Sequence, residues 1–244
     1  MLAAVIFDYG GVISSPLFQG IGRFEADMGY PQGAILELLF GEPSYIGLEG
    51  RVLTGENVAP SAASSTAAPS AVTHEWHRLE VGEIALAEYL AGVEARAPEV
   101  LGKPLDLEAY SKFARQMPLG VHWMVVHKIR ELRAAGYRTA LLTNNVAEWG
   151  DAWRSTFPVD ELFDTVVDSS AVGMRKPDPR VYELTCDRLD IAPGDAAFVD
   201  DNYDNVAAAR ALGMAAVHFG ANPWEALAEL DTMIASSVRQ RSAS

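Results

Sequence analysis

A chain of 244 residues is long enough for one large domain, or for a core carrying a smaller inserted one. Its 49% apolar and 21% charged residues are those of an ordinary globular protein, and no apolar run approaches the roughly 18 residues of a membrane span. A formal net charge of −14 excludes a general nucleic-acid surface, which needs clustered Lys and Arg, but it leaves room for a phosphate ester, because a metal ion inverts the field of one cleft.

The single cysteine, Cys186, excludes an intramolecular disulfide and fits a reducing compartment. It falls in a helical pattern and reads as a small buried apolar residue. No basic region precedes the first apolar run, so a signal peptide is not read and cytoplasm is the default.

The run Leu2 to Phe7 has nothing polar on either face and ends in Asp8-Tyr9-Gly10-Gly11. It predicts a strand buried on both sides at the centre of a parallel sheet. Asp8 then stands at the carboxyl end of that strand, where open α/β sheets place their ligands. Gly10 and Gly11 allow a tight turn that brings main-chain N–H groups close to an anion. From Phe18 to Leu39 apolar residues fall at helical spacing, with breaks near Pro31 and Gly33. Asn57 to Thr73, rich in Ala, Ser and Pro, buries too little to offset chain entropy and reads as a loop or linker, with a mobile lid as the functional alternative. Helical periodicity returns at His74–Glu80, Ile84–Ala91 and Leu107–Phe113. Residues 16–117 thus read as a helical module, with a flexible segment at 57–73, inserted into a core of 1–15 and 118–235, with a tail at 236–244.

From Pro118 onward helix and strand alternate. Helices are predicted at Val121–Ala135, Ala147–Thr156, Pro179–Leu189, Asp204–Leu212 and Pro223–Ile234, and strands at Arg138–Leu142, Asp164–Asp168, Ala196–Val199 and Met214–Phe219. That order implies βαβ units and a Rossmann-like parallel sheet flanked by helices.

Asp8, Thr143-Asn144, Lys176 and Asp200-Asp201 all fall on strand ends or on the loops that follow, so a parallel sheet gathers them at one edge. Three crowded carboxylates raise one another's pKa, and a cation removes the conflict. Hard oxygen ligands with room for water suit Mg²⁺. Lys176 then balances the charge of nucleophile and phosphate, the Thr143 hydroxyl and nearby N–H groups hold phosphoryl oxygens, and Asp8 attacks phosphorus to give an aspartyl-phosphate.

Asp8-Tyr9-Gly10-Gly11-Val12, Leu141-Leu142-Thr143-Asn144, Gly173-Met174-Arg175-Lys176-Pro177 and Phe198-Val199-Asp200-Asp201-Asn202-Tyr203-Asp204-Asn205 resemble the four ordered motifs of the haloacid dehalogenase-like hydrolase superfamily. Within it the chain is most similar to sugar-phosphate phosphatases and to the phosphatase domains attached to epoxide hydrolases. The resemblance implies a Mg²⁺-dependent phosphatase of small phosphomonoesters with an α/β core and an inserted helical cap. It implies Asp8 as nucleophile and metal ligand, the Gly10 main-chain carbonyl as a second ligand, Asp201 as direct ligand and Asp200 as direct or water-bridged partner. Thr143 and Asn144 would hold phosphate, Lys176 would orient Asp8, and Asn205 would orient Asp201. One position departs from the pattern. Most family phosphatases carry an acid–base Asp two residues after the nucleophile, where this chain has Gly10, and such a group is worth about 10² to 10⁴ in rate.

That departure keeps two rivals open. A 2-haloacid dehalogenase attacks carbon with the same carboxylate and no metal, although the doublet Asp200-Asp201 disfavours an acid substrate. A phosphate- or partner-binding protein would keep the fold with little turnover. Other residues read as scaffold. His122 and His127 are taken as solvated or packed, His218 as a satisfied polar group and Arg175 as a solvated neighbour of Lys176. Asp178 and Asp204 are taken as helix-start residues. Trp76, His77 and Glu80 are candidates to face the cleft from the cap, with packing within the cap the alternative for Trp76.

Overall fold

Strand β1 (Ala4–Phe7) has every residue buried and stands at the middle of a five-stranded sheet, as an apolar run with no polar face requires. Its neighbours are β2 (Arg138–Thr143), β3 (Thr165–Asp168), β4 (Ala196–Asp200) and β5 (Ala215–His218), in the order β3-β2-β1-β4-β5. All four pairings are parallel. The computed structural model describes residues 2–16, 20–41, 74–116, 120–150 and 153–243. The expected linker 57–73 lies outside the described residues.

The described residues form two compact units, one drawn from 1–17, 80–82 and 118–244, the other from 18–79 and 83–117. In the first unit the sheet is covered on both faces. Val5 and Phe7 pack with Leu141 and Val199 against Val125 and Ile129 of the helix Trp123–Ala134 and Leu230 of the helix Pro223–Ala243. Ala4 and Ile6 turn the other way, onto Val181 and Tyr182 of the helix Pro179–Arg188 and Val206 and Ala209 of the helix Tyr203–Ala211. Ile6 and Phe7 are fully buried, and each such side chain contributes about 1.5–3 kcal/mol.

The helix Pro179–Arg188 starts as anticipated: the Asp178 side chain accepts from Arg180 N, with Pro179 at the first helical position. The helix Tyr203–Ala211 differs from expectation, because its cap is Asn202 rather than Asp204. Two further departures concern length. The predicted helix over Ala147–Thr156 is instead two single 3₁₀ turns, Ala147–Trp149 and Trp153–Ser155, the first closed by Gly150 at φ 52°. The last helix runs to Ala243, past the expected end at Ile234, and Ser237 Oγ on that added stretch accepts the Leu2 N–H at 2.7 Å.

The second unit is helical, with helices at Ile21–Met28, Ala34–Phe40, Leu86–Leu101 and Leu107–Gln116, and most of the helix Glu75–Glu80. Trp76 is buried within it, edge-on to Phe40 at 4.8 Å and to Tyr89 at 5.5 Å, so packing wins over a role facing a cleft. Phe24 packs on Phe113 and Tyr110 at 4.9 and 5.8 Å. No helix among the described residues is long and apolar enough to cross a membrane.

Candidate active site

Where β1 and β4 end, the strand order reverses, since the chain leaves β1 for β2 and β3 on one side and returns to β4 on the other. Phe7 pairs with Val199, so the next residues, Asp8 just past β1 and Asp200 at the end of β4, stand side by side. Asp201 follows. One carboxylate oxygen from each of Asp8, Asp200 and Asp201 lies within 4.8 Å of the others. This is the gathering that the strand ends predict.

Lys176 enters from the loop after β3, is 1% exposed, and bridges two of these acids: Nζ stands 2.7 Å from Asp8 Oδ1 and 2.7 Å from Asp200 Oδ2. Burial opposes its charge, but Asp200 and Asp8 together outweigh burial and hold the ammonium above its ordinary pKa. Asp8 moves the other way. Burial and the Asp200 charge push its pKa up to about 7, against the pull of Lys176. Lys176 therefore does not offset the burial of Asp8 beside Asp200. A divalent ion would supply the missing charge, and three oxygens at this spacing are the donors Mg²⁺ uses.

The rest of the constellation fixes these groups. Asn205 donates through Nδ2 to Asp200 at 3.0 and 3.2 Å, and Asn202 N donates to Asp200 Oδ1 at 2.8 Å. Asn205 thus orients Asp200, whereas the resemblance implies it would orient Asp201. Thr143 is buried at the end of β2. The Asn144 side chain is spent on the lysine loop, donating to Lys176 O at 3.1 Å and accepting from Lys176 N at 2.9 Å. Gly10 lies in the turn after Asp8, and Gly11 shows why that turn is glycine-rich. It has φ 74°, and a Cβ placed there would stand 1.9 Å from Asp201 Oδ2. The two acidic loops touch through a position that only glycine can fill. Tyr9 anchors the turn from the core side, with its ring 5.1 Å from Trp153 and 5.8 Å from Phe157.

Three residues taken as bystanders in the sequence have specific partners. Arg175 donates through Nε to Glu80 at 2.6 Å, with both side chains largely buried, so it is no solvated neighbour. The Glu80 carbonyl accepts from Ser169 Oγ at 2.6 Å, and that hydroxyl also accepts Asn145 N at 2.9 Å, joining residues 80–82 to the loops after β2 and β3. His122 Nδ1 meets Val12 O at 2.9 Å and His218 Nε2 meets Asp201 O at 2.8 Å. Burial pulls the His218 pKa below its ordinary value, against the pull of its bond to the Asp201 carbonyl. No local pattern marks such contacts. The one available hint is that both histidines fall where the topology brings chain to the carboxyl edge of the sheet.

A parallel sheet carrying an acidic cluster and a buried lysine at its switch point defines a Rossmann-like α/β core with a candidate cation site. The model of the haloacid dehalogenase-like hydrolases matches residues 2–213, and the chain belongs to that family. It is 27% identical over 222 residues to bifunctional epoxide hydrolase 2 of Sus scrofa, covering 88% of this chain and 36% of that one. It is 37% identical over 90 residues to a sesquiterpene phosphatase of Aspergillus oryzae, covering 37% and 46%. It is also 37% identical over 82 residues to (S)-2-haloacid dehalogenase 1 of a Pseudomonas species, covering 34% and 36%. Each match spans less than half the length of the relative. A family enzyme of Bacteroides thetaiotaomicron, solved with magnesium and inorganic phosphate, shares the fold with a TM-score of 0.53 at 18% identity, over 89% of this chain and 94% of that one.

Proposed function

We propose that this chain is a Mg²⁺-dependent phosphatase of small phosphomonoesters in a cytoplasmic setting, with the helical unit acting as its cap. The observation that carries the reading is the convergence of Asp8, Asp200 and Asp201 within 4.8 Å beside buried Lys176. Asp8, Asp201, Asp200 and the Gly10 carbonyl would hold the ion, which when bound neutralises carboxylate and phosphoryl charge. Lys176, 2.7 Å from Asp8 Oδ1, would orient Asp8, and its charge favours the ionised carboxylate. An Asp8 oxygen attacks phosphorus as the bond to the leaving oxygen breaks, and the electron pair departs with that oxygen. The Thr143 hydroxyl and the Asn144 main chain hold the phosphoryl oxygens. Water then attacks the aspartyl-phosphate, releasing inorganic phosphate and restoring Asp8.

Gly10 has no side chain with which to protonate the leaving oxygen. Turnover should therefore fall steeply as the leaving group becomes more basic, with p-nitrophenyl phosphate far ahead of alkyl phosphates. That same glycine favours the second reading, a metal-free 2-haloacid dehalogenase, and dehalogenases are among the relatives. Assaying p-nitrophenyl phosphate and 2-chloropropionate with Mg²⁺ and with chelator separates the two. Phosphate release that needs Mg²⁺ supports the phosphatase, and chloride release in chelator without phosphate release overturns it. Phosphate binding with neither product would leave a binding protein.

A further inference from the structure

We propose that the end of β5 is a brace for the acidic centre, with His218 as a positioning residue that sets Asp201 through its main-chain carbonyl. The metal part of this proposal rests on the phosphatase reading above. Asp201 lies one residue beyond β4, outside the ladder that holds Asp200 opposite His218. Its carbonyl meets His218 Nε2 at 2.8 Å. A carbonyl only accepts, so Nε2 carries the proton and the ring is locked in one tautomer. The Tyr203 ring lies flat on that imidazole, with centroids 3.6 Å apart and planes 13° from parallel, which fixes where the N–H points.

The next residue extends the brace. Phe219 N donates to Asp200 O at 2.8 Å, so consecutive residues of β5 and its exit hold consecutive carbonyls of the acidic doublet. The Phe219 ring stacks on His122 at 6.0 Å, and the Nδ1–H of His122 donates to Val12 O at 2.9 Å in the turn that follows Asp8. The His122 main-chain N–H donates to Ile13 O at 2.8 Å in the same turn. The doublet is thus hydrogen-bonded to the end of β5, and the turn after Asp8 reaches that strand end through the contact of His122 with Phe219. A cation site tolerates only small errors in ligand placement, and groups that orient ligands typically change metal affinity by about 10–100-fold.

The test compares H218F, which keeps an aromatic ring against Tyr203 but has no N–H, with H218Q, whose amide nitrogen reaches about as far as Nε2. In metal-free protein, hydrogen exchange of the segment 200–205 should quicken about five- to tenfold in H218F and stay near wild type in H218Q. By calorimetric titration H218F should bind Mg²⁺ about 10–100-fold more weakly, H218Q within about threefold of wild type, with the metal-free melting temperature little changed. Should H218F fail to fold, H218N, whose amide stops short of Asp201, takes its place. Unchanged exchange in the donor-less variant, or an equal loss in H218Q, overturns the brace. If wild-type protein takes up no Mg²⁺, the metal reading fails on its own account, and the exchange comparison still decides the role of His218.

Discussion

Two carboxylates buried to a similar depth, one in each unit, have opposite surroundings. Glu25, 2% exposed in the helical unit, takes the Gly33 N–H on Oε2 and the Ile35 N–H on Oε1, both at 2.8 Å. Those are donors at the start of the helix Ala34–Phe40, whose own cap residue Gly33 has no side chain to offer. Asp8, 7% exposed in the α/β unit, faces a second and a third carboxylate and shares one lysine with Asp200. Fixed dipoles match the charge of Glu25 and make it scaffold. Asp8 is left under-compensated, which is the condition of a group that gains from binding a cation and from reacting.

If that contrast is sound, the variant with the largest consequence is Asp8→Asn. It should lower turnover of p-nitrophenyl phosphate by about 10⁴-fold or more while the urea midpoint holds or rises, because a poorly compensated buried charge is removed. Retained turnover would refute the nucleophile assignment. Lys176→Met comes next. It strands two buried carboxylates, and we expect about 3–5 kcal/mol of lost stability and about a 10²–10³-fold fall in kcat. Stability near wild type in urea titrations would mean that the acids have another partner.

The Asp8 pKa gives a third test. In the folded, metal-free protein it lies at about 7, above the ordinary 3.8, so between those values the unfolded chain has released a proton that the native state still holds. Stability conferred by this group must then fall as pH rises from about 4 to 7. Chemical unfolding in chelator should show the decline, and saturating Mg²⁺ should offset it. A metal-free protein that grows more stable across that range at Asp8, judged against Asp8→Asn, would contradict the assignment. The mildest change is Glu25→Gln. Replacing one carboxylate oxygen by a donor that faces an N–H should cost about 1.5–3 kcal/mol and leave kcat per folded molecule unchanged. A large effect on kcat would erase the distinction between the two carboxylates.

Much of the α/β unit was legible beforehand for a local reason. A strand buried on both faces reads as an apolar run, and β1 and β4 have runs of four apolar residues and β2 the shorter Ala140-Leu141-Leu142, each ending next to residues now gathered at the sheet edge. The helical unit was legible only as helices, because amphipathic spacing shows which face is buried and not what it is buried against. The Ala147–Thr156 segment misled for a related reason. Its composition suits a helix, yet Gly150 at positive φ ends the first turn.

What the sequence alone determined is which candidate residues fall at the carboxyl edge of the sheet. Asp8, Thr143 and the Asp200-Asp201 doublet stand at strand ends and Lys176 in a loop beyond β3, and parallel strands have only one carboxyl edge. Only the tertiary structure decided which partner each charge has: Asn144 on the lysine loop, Asn205 on Asp200, Arg175 on Glu80, His218 on the Asp201 carbonyl. Glu80 and Arg175 stand 95 residues apart, and neither has a periodicity that points to the other. Whether a buried carboxylate is scaffold or reactive depends on the donors within about 3 Å of it, and chain folding, not local pattern, brings those donors there.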